Sequence, residues 1–294
     1  MTVITTKAAS AVPNFCEGIQ YFGEALPDFE TYGATPAIAS GNISITDATD
    51  TTAVYQTLLA ADALRYLTLQ ITASKASGHP GGFASQAEAY FASLMRTGNV
   101  FPLFPPDANS IQVCYNWALQ TKNKGIVITA SKSPLPIRST FAQTEKGLID
   151  GAVLLHEVAG GKTVVFAVIG DLTLIPVFEA AAFLETEGIG VKIVSIINPR
   201  RLYRPHDTAW DTCSEPDNGF LSDADFEQLF GGDALIGVTG GAAAMLEPIM
   251  LRSNSKRDSF AWKRGETTAS AGELMAFNGL TAEALTKRAI ELVH

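Results

Sequence analysis

Three cysteines in 294 residues are too few, and too scattered, to build a covalent or metal framework. Cys16, Cys114 and Cys213 are odd in number, far apart and outside any CxxC or histidine spacing, so reduced, structural thiols are expected rather than disulfides or zinc ligands. An excess of basic residues is also missing. Lys and Arg number 21 against 30 Asp and Glu, a formal net charge of -9, which disfavours a polyanion-binding surface and excludes nucleic acid as the expected main partner. Met1 to Ser10 carries Lys7 and no apolar core segment, so it does not resemble a secretory signal, and a cytoplasmic protein is expected. No apolar run is long enough to span a membrane: Thr163 to Leu184 comes nearest, but Gly170-Asp171 and Pro176 divide it into a strand and a helix. GxGxxG after a strand, GxxxxGK[ST], HExxH and GxSxG are all absent, which weakens dinucleotide, P-loop, metalloprotease and serine-hydrolase readings. There is no internal repeat or low-complexity tract.

What is present is the pattern of an α/β protein. Hydrophobic residues make up 47% and charged residues 17%, ordinary for a globular chain with one large core or two modest ones. Thr163 to Ile169 is a β-branched apolar run fit for a strand covered on both faces. Gly170-Asp171-Leu172-Thr173 breaks it and offers two N-caps, Leu174 to Glu187 has helical spacing and stops at Gly188, and Val191 to Ile197 is a second run. Strand, crossover helix and strand make a parallel pair.

Along the chain, Met1 to Asp50 is proline-punctuated and irregular but carries Phe15, Tyr21, Phe22, Phe29 and Tyr32, as expected of an arm that packs on its own domain or on a second subunit. Val54, Leu58, Ala61, Leu64, Leu67 and Ile71 lie on one face of a predicted helix, and Ser85 to Met95 predicts another. Val100 to Phe104 predicts a short strand, Asp107 or Asn109 the cap of a helix to about Gln120, Gly125 to Ala130 a buried strand, and Ile149 to Val158 an edge strand. Farther on, Ser222 caps a predicted helix over Asp223 to Phe230, and Ala234 to Val238 reads as a strand. Gly240-Gly241 opens a small-residue helix reaching about Leu251, Ser259 to Trp262 reads as a last strand, and Ser270 to Glu273 and Thr281 begin two short helices.

Few residues in this pattern carry chemistry. The turn Gly78-His79-Pro80-Gly81-Gly82 brings backbone and an imidazole within reach of a ligand, though a plain inter-helix turn accounts for the same residues. Lys132 follows a strand, at the carboxyl edge where open α/β sheets bind anions. His156 reads as a satisfied or exposed histidine of the edge strand. Arg200, Arg201 and Arg204, like the Lys256 to Arg264 cluster, read as a solvated or interfacial face before a nucleotide site. Asp171, with Asn198 one βαβ unit later, has the placement of a magnesium and diphosphate grip, but Leu172 stands where close backbone approach needs glycine, which favours a cap and loop role.

Several segments, in the same order, resemble the transketolase and phosphoketolase group of thiamine diphosphate enzymes. Ser77 to Gly81 is similar to the group's SGHPG segment in the first domain. Phe104 to Asn109 and Ser131 to Pro136 are similar to two segments late in the pyrimidine-side domain, and Thr163 to Arg201 with Gly265 to Leu274 to the third domain. The resemblance implies a parallel-sheet, transketolase C-terminal-like domain (residues 151–294) preceded by remnants of the two thiamine diphosphate-binding domains, at 1–86 and 87–150. Text of the first domain passes into late second-domain text between Gly82 and Phe101, where the group's Gly-Asp-Gly metal loop and activating glutamate would otherwise lie. The implied cofactors are thiamine diphosphate and Mg²⁺. The implied reaction is cleavage or transfer of a two-carbon ketol unit from a ketose phosphate, and this chain is expected to be inactive alone. By the same resemblance His79 lines the active site and Lys132 meets the sugar phosphate, a lysine there lacking the bidentate fork of arginine. A homo-oligomer, or association with a full-length homologue, is the implied assembly. A non-catalytic protein that docks onto full-length subunits is the rival reading.

Overall fold

The computed structural model describes residues 68–73, 100–120, 125–130, 135–204, 220–263 and 271–294. The helices predicted from Asp50 and from Ser85, the aromatic arm, His79, Lys132, Cys16 and Cys213 lie outside them, apart from the end of the first helix.

Two sheets organise the described residues. The smaller is parallel and three-stranded, with β3 (Gly125–Ala130) between β1 (Thr68–Ala73) and β2 (Val100–Leu103). Here the structure corrects the sequence reading. The helical face drawn from Val54 to Ile71 ends in strand, because Thr68, Ile71 and Thr72 are β-branched and a buried neighbour is available for pairing from Thr68 against Gly125 to Ala73 against Ala130. Helix α1 (Ala108–Gln120) packs Val113, Cys114 and Ala118 against Phe101, Leu103, Ile126 and Ile128 of this sheet.

The larger sheet has the order β4-β6-β5-β7-β8, from β4 (Ala152–Val158), β5 (Thr163–Ile169), β6 (Gly190–Ile196), β7 (Ala234–Thr239) and β8 (Lys256–Phe260). All neighbours are parallel except the edge strand β4, which runs antiparallel to β6. Alternation across the pleat explains the apolar runs. Val164, Phe166 and Val168 of β5 face α3 (Leu174–Thr186) and α7 (Ala282–Val293), whereas Val165, Ala167 and Ile169 face α4 (Asp223–Phe230) with Leu246 and Ile249. Both faces are covered, so no polar alternation is needed. Cap chemistry sets the helix starts: Ser222 accepts from Asp225 N, and Thr281 from Ala284 N.

Three further boundaries and one expected cap differ from the sequence reading. Residues expected to begin the edge strand at Ile149 belong instead to helix α2 (Phe141–Asp150), which a Thr140–Gln143 capping box starts and Gly151, at φ +99°, ends. The helix expected from Gly240 is a 3₁₀ turn at Ala243–Met245 followed by the single-turn α5 (Glu247–Met250), whose first turn takes Pro248. The last strand begins at Lys256, three residues early, because a polar edge strand hides its period. Thr173 at the start of α3 makes no side-chain cap bond; its hydroxyl donates to Gly170 O. A short helix, α6 (Ala271–Phe277), precedes α7.

Candidate functional site

The strongest polar constellation among the described residues is built around Asp107, which is 2% exposed. The Pro105-Pro106 turn leads from β2 into α1, and Phe104 N donates to Ile197 O at 2.8 Å, fastening the small sheet to the end of β6. Asp107 then caps α1: Oδ1 accepts from Ser110 N at 2.9 Å and Ser110 Oγ at 2.8 Å. Its other oxygen accepts from Arg138 N (2.7 Å), Ser139 N (2.8 Å) and Ser139 Oγ (2.9 Å), thirty-odd residues on. Asn109 Nδ2 donates to Ser139 O, and the hydroxyls of Ser110, Ser139 and Thr144 close a buried ring of contacts.

One carboxylate with five donors is a pin. It joins the capping segment to Arg138 and Ser139, which lie far from it in sequence. Nearby groups feel the charge: burial, with help from Asp107, pushes the Cys114 thiol far up, so this cysteine is an inert core residue. Burial also lowers the Arg138 guanidinium, which lies 3.8 Å over the Phe178 ring. Sequence reasoning missed Arg138, Ser139 and Thr144. The Thr140–Gln143 capping box was their one local signal.

The carboxyl edge of the large sheet is the other place to look. Connections leave β5 toward β6 and β7 toward β8, so the topological switch point falls between the ends of β5 and β7, where ligands of open sheets bind. Gly170, at φ +107°, and Asp171 stand at one side and Thr239 to Gly241 at the other. Asp171 is buried and its Oδ1 accepts from Leu172 N at 2.7 Å; Leu172 is buried in the core cluster that also holds Trp262, whose backbone N–H donates to Gly241 O. Asn198 does reach the adjacent strand end, yet its amide donates to Leu148 O at 3.2 Å, and its Oδ1 is buried without a hydrogen-bond partner. The two residues are brought to one edge and turned to different tasks. Among the described residues no group of three or more His, Cys, Asp and Glu stands close enough to hold a metal ion. Asp171 thus spends Oδ1 on the backbone of its own loop, and Leu172 fills the core where close approach of a diphosphate would need glycine.

The remaining candidates are structural. His156 Nε2 is 2.6 Å from Glu185 Oε1, a satisfied edge-strand histidine. The Arg200 guanidinium lies 4.5 Å over Phe101, Arg204 pairs with Asp223 at 3.4 Å, and Arg257 donates to Ser253 O. Arg252, which sequence reasoning did not single out, is more deeply engaged. Its guanidinium lies between Phe220 and Phe226, at 4.3 and 4.2 Å, and donates to Leu202 O, Leu221 O and Asp223 Oδ1. No described helix is long and apolar enough to cross a membrane.

These layers define the class: a mixed α/β fold whose larger sheet is mainly parallel and closed at one edge by an antiparallel strand. No protein-family model and no curated protein matches the sequence. Solved structures do match. A transketolase from Campylobacter jejuni superposes with a TM-score of 0.62 at 16% identity, over 84% of this chain and 35% of that one. A Pichia stipitis transketolase in complex with sedoheptulose-7-phosphate gives 0.60 at 15%, over 84% and 33%. A split-gene transketolase described as an inactive beta4 tetramer gives 0.56 at 14%, over 79% and 68%. The fold is thus transketolase-like, with a sheet of the C-terminal-domain kind, and the chain spans about a third of the length of the first two (35% and 33%).

Proposed function

We propose that this chain is a transketolase-like protein of sugar phosphate metabolism, inactive by itself, that works in association with a full-length homologue. The observation that carries the reading is the fold likeness over 84% of this chain and only 35% of the transketolase chain. In this reading residues 1–86 and 87–150 derive from the two cofactor-binding domains and 151–294 from the third. The reaction served is two-carbon ketol cleavage or transfer from a ketose phosphate, of the transketolase or phosphoketolase kind. Thiamine diphosphate and Mg²⁺ supply the carbanion chemistry of that reaction when bound to the complete partner. From this chain His79 contributes to the substrate pocket and Lys132 meets the phosphate as a point charge, on a segment whose far end the Asp107 pin holds in place.

The alternative, a non-catalytic protein that docks onto full-length subunits, is favoured by the closed switch point. Both readings meet one experiment. The purified chain, a full-length transketolase and their mixture are compared by size-exclusion chromatography, by calorimetry with thiamine diphosphate and Mg²⁺, and by turnover of sedoheptulose-7-phosphate. A complex whose turnover depends on His79 and Lys132 is expected. A complex whose turnover ignores both residues favours the docking protein. Turnover by the chain alone overturns the inactive reading, and the lack of any complex overturns both.

A further inference from the structure

Helices α3 and α7 pack side by side on one face of the large sheet, and the outer side of α3 is not a finished polar surface. Towards the sheet α3 buries Val177, Ala180, Ala181 and Leu184. Its opposite stripe, Ile175, Glu179, Ala182, Phe183 and Thr186, is exposed, with Ile175 40% and Phe183 53% open, and Glu179 is the one charge on it. A helix lying on a sheet normally turns polar residues outward; apolar residues all round mark a helix covered on both sides. On α7, Ala282, Thr286 and Ile290 recur every four residues and form a low ridge. An open groove of about 550 Å³ runs between that ridge and Phe183.

Shape and charge together say what the groove fits. Ile175 and Phe183 stand two turns apart along α3, as Ala282 and Ile290 do along α7, so each apolar bank runs about 12 Å. A trough of that length between two helices is the seat of a third, whose apolar ridge enters it. Glutamates flank both banks: Glu179 on α3, Glu283 and Glu291 on α7, against the single Lys287. Arg288 already takes Glu291 at 2.9 Å, whereas Glu179 and Glu283 have no ion-pair partner among the described residues. Carboxylates on either side of an apolar groove complement cations on either side of an apolar stripe, because lysine stems can lie along the groove wall while their heads reach the acids. Two sources within the protein lack such cations. Residues 1–50 hold Lys7 as their one cation, and a second copy of this face brings the same three glutamates.

We propose that the α3–α7 groove seats a basic amphipathic helix of a different protein. The proposal goes beyond the sugar phosphate reading, and its test involves neither turnover nor a transketolase, so either can fail alone. The full chain is titrated into a fluorescently labelled peptide of about 14 residues, roughly four turns, made of leucine and lysine and patterned as an amphipathic helix, with anisotropy as the readout. Two further peptides serve as comparisons: the same residues scrambled so that no apolar face forms, and the same pattern with glutamate for lysine. The patterned leucine–lysine peptide is expected to bind at least about tenfold tighter than either. Phe183→Ser, and the pair Glu179→Gln with Glu283→Gln, are each expected to weaken that binding about tenfold, with far-UV circular dichroism unchanged. The pair Glu145→Gln with Glu227→Gln, exposed acids outside the groove, removes the same charge and leaves binding as it was. Failure of the patterned peptide to bind overturns the proposal. So does equal binding of the scrambled or the glutamate peptide, indifference to the groove variants, or an equal loss with the Glu145 and Glu227 pair.

Discussion

Replacing Asp107 by asparagine tests whether one buried carboxylate ties the capping segment to the segment after Lys132. The side chain keeps its shape and loses its charge, and one oxygen becomes a donor. If the new NH₂ takes the Oδ1 position it opposes Ser110 N, while the Ser110 hydroxyl can turn to accept; at the Oδ2 position it opposes the N–H groups of both Arg138 and Ser139. The first arrangement strands one buried donor and the second strands two, so the amide settles in the first. A stranded buried donor costs about 1–3 kcal/mol, and the bonds that remain lose their charge assistance, for a total of roughly 2–4 kcal/mol. Asp107→Ala strands every donor and costs more, about 4 kcal/mol or above. Urea denaturation at neutral pH measures both, and the order alanine worse than asparagine is part of the expectation. Asp107→Asn within about 0.5 kcal/mol of wild type, the range of an ordinary surface change, refutes the pin.

Arg252→Met removes the donors to Leu202 O and Leu221 O and leaves two buried carbonyls unpaired, so a loss of roughly 2–4 kcal/mol is expected in urea. Arg252→Lys loses less, but still loses, because an ammonium lacks the planar face that lies between the two phenylalanines. Asp223 supplies the pH dependence. The hydrogen bond from Arg252 holds its carboxyl below the usual range against an opposing desolvation, with the positive charges of Arg204 and Arg252 adding to the lowering. A carboxyl depressed in the folded state stabilises above its unfolded value of about 3.9 and loses that contribution as pH falls through the folded value. Asp223→Asn should therefore lower the urea midpoint at pH 7, and by less as pH falls through the folded value. Equal midpoints at pH 7 would dismiss the ion pair as a source of stability.

Elements buried on both faces were legible because burial writes itself into composition: Thr163–Ile169 and Gly125–Ala130 are β-branched runs and came out at their observed bounds. So did helix starts fixed by a local side chain, at Ser222 and Thr281. Other features depend on distant partners. Thr68–Ala73 fits a helical stripe until β3 is there to pair with it, and the polar Lys256-Arg257-Asp258 of β8 shows no strand period because an edge half faces water. The site divides in the same way. Capping by Asp107 was readable from its own neighbours, but its other three donors come from Arg138 and Ser139, and no local pattern announces a contact at that separation.

The same contrast between local and distant causes explains why one residue decides the chemistry of the loop after β5. With glycine after Gly170-Asp171, the chain would present backbone N–H groups and a carboxylate at the switch point, open to a diphosphate and its metal. With Leu172 the side chain turns into the core cluster beside Trp262, and its N–H is taken by Asp171 itself. Exposing a buried leucine costs about 1.5–3 kcal/mol, and giving up a charge-assisted hydrogen bond costs about as much again. An anion arriving at this edge has to overcome both before its first productive contact. Closing the loop thus strengthens the sheet edge.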